Sequence, residues 1–160
     1  TRAGAGSNLL ANTLERIALK SGLDREGYQI MIENSMIISA DQAHATHPNY
    51  KEFADPTNQV RMNEGLVLKI AANGAYASMV ETEARLVDIA DKCGYKLQTF
   101  HNRNDKVGGS TIGPITSTAL GIKAIDLGIP LLAMHSIREL AGVYDIYEAY
   151  EIYKKLFEED

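Results

Sequence analysis

Four short strand-like runs constrain this 160-residue chain more than anything else in it. They are "SMIISA" (35–40), "GLVLKIAA" (65–72), "YKLQTFH" (95–101) and "KAIDLGIPLLAMHS" (123–136). The first is a compact β-branched run, a buried-strand signal, and the others read as strands. The last run has room for one or two strands. Between and around them lie segments with helical spacing. Residues 7–20 place Leu9, Leu10, Leu14, Ile17 and Ala18 on one face, with Ser7 as a cap. A short helix is expected over Arg25 to Glu33. Residues 78–92 align Met79, Val80, Leu86, Val87 and Ala90 and stop at Gly94. "VGGSTIGPITSTALGI" (107–122) is a glycine-rich loop opening a helix, with Pro114 in its first turn. Residues 143–158 put Val143, Ile146, Tyr147, Tyr150, Tyr153 and Phe157 on one side, as core or interface. Strands alternating with helices imply an α/β layered domain.

Such a sheet binds ligands beyond its strand ends, which directs attention to the residues that follow the apolar runs. Asp41 follows the first directly, and opens a polar stretch to Asn63 too long to be a simple connection. A carboxylate there is paired, metal-bound, or a cap or loop residue. His44 and His47 either share a metal or bond to backbone as loop histidines; no HExxH is present. His135 follows "IPLLAM" and is either a satisfied core histidine or a site residue, with Arg138 and Glu139 placed to orient its ring. Asp41 and His135 are therefore expected to meet at neighbouring strand tips. Lys69, inside an apolar strand, either snorkels from an edge or aims its charge at a ligand. His101 reaches the same edge by position alone. "GGSTIG" is either an anion cradle or a tight strand-to-helix turn; it has neither the GK[ST] ending nor GxGxxG. Cys93 reads as structural.

Bulk properties narrow the function. A net charge of −5 argues against non-specific nucleic-acid or acidic-membrane binding. No apolar run reaches the roughly 18 residues of a membrane helix. One cysteine excludes an internal disulfide and a cysteine-rich zinc site. A cytoplasmic location is the expectation.

Taken together, "TRAGAGS", "SADQAHATHPNY", "NDKVGGSTIGPI" and "LGIKAIDLGIPLLAMHSIRE" resemble, in order and over nearly the whole chain, the aspartyl aminopeptidase (aminopeptidase I) family of zinc exopeptidases. The resemblance implies a helix–sheet–helix layer with a mixed, mostly parallel sheet. It implies two zinc ions, one bound by Asp41 and the other by His135. His44 then contacts substrate rather than metal, and Lys69 and Tyr76 are substrate-binding. It further implies a His-x-Asp motif, a bridging Asp and a Glu-Glu pair supplying the general base. These are expected upstream of "TRAGAGS", so no catalytic base is assigned. The expectation is a C-terminal portion of a catalytic domain, incomplete on its N-terminal side and lacking an inserted dimerisation domain, and inactive in isolation. A homo-oligomer, a dodecamer by resemblance, acting on peptides is implied. The family's Asn and Arg near that lysine and tyrosine are here Ala71 and Ala75, which leaves a strict Asp/Glu preference open. The alternatives are a non-catalytic α/β module holding a phosphate-type ligand at GGSTIG, and a pseudo-enzyme subunit offering only assembly surface.

Overall fold

The computed structural model describes residues 2–159. Helix α1 (Leu9–Lys20) and helix α2 (Arg25–Glu33) come first, followed by strand β1 (Met36–Ala40) and the two-residue strand β2 (Ala43–His44). A 3-10 turn (Lys51–Phe53) precedes strand β3 (Val67–Ile70), helix α3 (Val80–Lys92) and strand β4 (Gln98–His101). Helix α4 (Ile112–Leu120), strands β5 (Lys123–Gly128), β6 (Pro130–Leu132) and β7 (Leu140–Ala141), and helix α5 (Val143–Glu158) complete the chain. Helix α2 begins where Asp24 accepts a hydrogen bond from the Gly27 N–H at 2.8 Å. Ser7 accepts from the Leu9 N–H at 3.3 Å, so the first helix starts two residues after its capping hydroxyl.

The main sheet has the order β1-β5-β3-β4. β1 and β5 are parallel, as are β3 and β4, while β3 and β5 run antiparallel. Side-chain alternation gives the two faces different jobs. Leu66, Leu68, Ile125 and Leu127 pack on Leu86, Ile89 and Ala90 of α3 and on Ala149 and Ile152 of α5. On the opposite face, Ser39, Lys69 and Asp126 are buried polar residues. Ser39 pairs with Asp126 in register, and one step along the antiparallel register from Leu68–Leu127 sets Lys69 opposite Asp126. A second apolar cluster joins Ala18, Tyr28 and Ile32 of the first two helices to Ile122.

Two predicted helix faces, on α1 and α3, differ from those observed, and on α5 the core alternative is excluded. In α3 the buried line is Thr82, Leu86, Ile89 and Ala90, while Met79, Val80 and Val87 are exposed. In α5 it is Asp145, Ala149 and Ile152; Val143, Ile146, Tyr147, Tyr150 and Phe157 face outward. In α1 only Ala18 is fully buried, and Leu9, Leu10 and Ile17 are exposed. The physical reason in α5 is that the core accepts small residues and a hydrogen-bonded carboxylate. Asp145 accepts from the N–H groups of Asn63 (2.6 Å) and Gly65 (2.9 Å), which fastens the turn before β3.

The polar stretch after Asp41 is ordered by a third cluster, in which Val60 packs with Ala43 and Val67. It begins as a second sheet of order β2-β6-β7. The parallel pair β1–β5 bends at residues 41–42 and 129 and continues as the parallel pair β2–β6. Asp41 and His135 thus follow strands of two different sheets, not neighbouring tips of one sheet. No helix among the described residues is long and apolar enough to cross a membrane.

Candidate active site

Asp41 is set by the end of β1: its N–H donates to the Leu127 carbonyl at 3.0 Å, and its side chain is half-exposed. Lys69 projects from β3, which lies between β5 and β4 rather than at an edge, and it is only 2% exposed. Its ammonium donates to Asp41 Oδ2 at 3.1 Å and to the Gln42 carbonyl at 2.9 Å. The same nitrogen stands 5.4 Å from the centre of the Tyr76 ring. A buried lysine held this way is directed at the site and does not snorkel.

His44 emerges from β2 in the same electrostatic field. Partial burial first, then the charges of Lys69 and His135, hold its imidazole below the usual range, and Asp41 opposes them. Burial likewise lowers Lys69, against the hydrogen bond and charge of Asp41 and the charge of Asp126. Burial, then Asp126 and Asp41, raise the Tyr76 phenol. The three groups therefore favour a neutral His44 and a protonated Tyr76 hydroxyl near neutral pH.

His135 sits in the turn after β6 with φ of 69°, and Ala133 nearby has φ of 58°. Left-handed backbone at non-glycine residues costs about 1–3 kcal/mol each and is typical of positions that aim a side chain. The expected orienting role of Glu139 and Arg138 toward the imidazole is corrected. Glu139 accepts from the His135 backbone N–H at 2.5 Å, and the Arg138 N–H donates to Ser136 Oγ. These contacts fix the turn and leave the ring's direction to the backbone. His47 is a loop histidine whose Nδ1 accepts from the Asn49 N–H at 3.1 Å. Asp41, His44, Lys69 and Tyr76 thus gather at one place, with His135 within electrostatic reach of His44.

Carboxylate oxygen and imidazole nitrogen are donors that zinc accepts, usually four at a time. Among the described residues no three His, Cys, Asp or Glu side chains converge on one point. Asp41 and His135 carry zinc-compatible donor atoms, and the described residues complete no ligand set around either. The phosphate reading of GGSTIG does not fit. Thr111 Oγ1 at the start of α4 donates to Asp126 Oδ1 at 2.6 Å, and a Cβ on Gly113 would lie 2.6 Å from Asp126 Oδ2. The Asp126 carboxylate thus lies against the first turn of α4, where a second anion would be repelled.

Sequence reasoning passed over four residues at this site. The Phe100 ring lies 6.2 Å from Tyr76 and 6.4 Å from His44. On the His44 side a cavity of about 700 Å³ is lined by Tyr50, Phe53 and Val107. On the Tyr76 side one of about 310 Å³ includes Asn73, His101 and Arg103. Gln42 contributes its carbonyl to Lys69 and accepts from the Ile129 N–H with its side chain. Gly128 and Asp126 complete the four. An acid inside "AIDLG" was the one available signal, since a strand that buried has to satisfy its carboxylate.

The chain belongs to the aminopeptidase I zinc metalloprotease (M18) family, whose model matches residues 1–157. A probable M18 family aminopeptidase 2 of Clostridium novyi is 48% identical over 157 residues, covering 98% of this chain and 36% of the relative. A probable aspartyl aminopeptidase of Ricinus communis is 42% identical over 156 residues, covering 98% and 32%. The solved S. cerevisiae mApe1 dodecamer superposes with a TM-score of 0.83 at 32% identity, covering 99% of this chain and 35% of that one. The chain spans about a third of the length of the curated relatives it matches.

Proposed function

We propose that this chain is the C-terminal portion of the catalytic domain of a two-zinc aminopeptidase that removes the N-terminal residue of peptides. The observation that carries the reading is the convergence of Lys69 on Asp41 at 3.1 Å, with Tyr76 5.4 Å from the same ammonium. Asp41 would hold one zinc and His135 the other; a general-base Glu and the other ligands would come from outside these 160 residues. Bound zinc would polarise the scissile carbonyl and lower the pKa of a water toward neutrality.

The chain's own residues have separate tasks. Lys69 orients the Asp41 carboxylate and presents positive charge to an anionic substrate group. Tyr76, kept protonated, offers a hydroxyl donor beside it. His44, kept neutral, offers one ring N–H to the oxygen on which charge develops. An acidic first residue suits Lys69; the small Ala71 and Ala75 beside Tyr76 line a cavity that leaves neutral residues room. A homo-oligomer, a dodecamer like the yeast relative, and a cytoplasmic location belong to the same proposal.

The test is hydrolysis of aminoacyl anilides by the full-length protein before and after chelation. Activity lost with the metal and regained with zinc supports the reading. Activity indifferent to chelation refutes it.

A further inference from the structure

Asp126 is fully buried in β5 and has no part in the metal or substrate roles above. No Lys, Arg or His pairs with it among the described residues. Its donors come from two loops. The Ala77 N–H donates to Oδ2 at 2.6 Å, and the Thr111 hydroxyl donates to Oδ1 at 2.6 Å. Its backbone N–H donates to Ser78 Oγ at 3.1 Å. Ser110 Oγ donates to the Ala75 carbonyl at 2.9 Å. Gly113 packs where a side chain would collide with both carboxylate oxygens, at 2.6 and 2.8 Å. The residues on either side of Tyr76 are thus both pinned, Ala77 by Asp126 and Ala75 by the loop that Asp126 holds down. Between them the Tyr76 ring is presented to Lys69 and Phe100.

We propose that Asp126 is a positioning residue of the substrate site: by clasping Ala77 and Thr111 it fixes Tyr76 against Lys69. The proposal rests on the reading of Lys69 and Tyr76 as substrate-binding. Both loops supply donors to this one side chain, so it needs two acceptors. An Asp→Asn change keeps the shape but only one acceptor. Its amide oxygen must stay on Ala77, whose N–H can only donate. Its NH2 group then meets Thr111, whose hydroxyl can turn to accept. The fold is retained while the clasp loses its charge-assisted bonds.

The experiment uses the full-length zinc enzyme with Asp126→Asn, Tyr76→Ala, Lys69→Met and the double variant Asp126→Asn/Tyr76→Ala. KM, kcat and bound zinc are measured on an acidic aminoacyl anilide. Asp126→Asn is expected to raise KM about tenfold with zinc content unchanged and kcat within about twofold. In the Tyr76→Ala background the same change is expected to leave KM unaltered, because the ring it positions is gone. An equal rise in KM in both backgrounds, a loss of zinc, or an unchanged KM overturns the proposal. If Tyr76→Ala and Lys69→Met leave KM unchanged, the substrate reading fails and this proposal falls with it. If they raise KM and Asp126→Asn does not, only this proposal falls. Should Asp126→Asn not fold, Thr111→Val against Thr111→Ser decides: Val is expected to raise KM and Ser to restore it, and equal KM values contradict the clasp.

Discussion

Gly128 and Asp41 touch through their backbones: a Cβ built on Gly128 would lie 2.0 Å from the Asp41 carbonyl oxygen. That approach is how the end of β5 sets the position of the candidate metal ligand. Gly128→Ala is therefore expected to push residues 41–42 away from β5. The stability cost is expected at about 1–3 kcal/mol, as for other overpacked sites. Activity of the full-length enzyme should fall by about 100-fold, the usual result of a displacement near 1 Å. Kinetics and thermal unfolding of the variant check both. Unchanged kcat/KM would show that Asp41 does not depend on this contact.

Lys69→Met removes a buried cation and leaves the Asp41 carboxylate without its partner at 3.1 Å. KM for an acidic aminoacyl anilide should rise about 10–100-fold, with a smaller change for a neutral one. Steady-state kinetics on the two substrates measure the difference. Equal effects on both would remove Lys69 from acidic recognition.

Asp145 accepts two backbone N–H groups with its two oxygens, so Asp145→Asn leaves one of them facing an NH2 group. The expected loss is about 2–3 kcal/mol, seen as a lower urea midpoint at unchanged slope. A shift below the resolution of the titration would mean that this turn holds itself.

Tyr153 packs against the core under α5, and burial pushes its phenol up to about 12 from 10.0. The folded form prefers the proton more than the unfolded form does. Its contribution is fully present below pH 10 and is lost as pH rises from 10 through about 12. Alkaline unfolding should flatten in Tyr153→Phe over that window, and a phenolate absorbance step near pH 12 should vanish. An unchanged alkaline profile would place Tyr153 in a wetter setting.

Strands β1, β3, β4, β5 and β6 and helix α2 are legible in the sequence, whereas β2 and β7, two residues each, carry no local signal. β-branched runs mark β1 and β3. The buried faces of α3 and α5 were less legible, because a hydrophobic pattern cannot see that Ala149 and Asp145 point inward while Tyr147 and Tyr150 point out. The turn from one sheet into the other was invisible for a different reason. It depends on Gly128 meeting a backbone 87 residues earlier (128 − 41) and on Gln42 bonding to Ile129. Position along the chain singles out Asp41, His44, Lys69 and His135, and motif resemblance assigns their roles and adds Tyr76. Their grouping around Lys69 is a matter of register, which no single segment encodes.

The most direct measurement is the zinc content of the full-length protein and of its Asp41→Ala and His135→Ala variants, taken alongside their activity. Two zinc ions per wild-type subunit, a reduced count in each variant and loss of hydrolysis in both are the results this account predicts. Either variant retaining two zinc ions and full activity would contradict it.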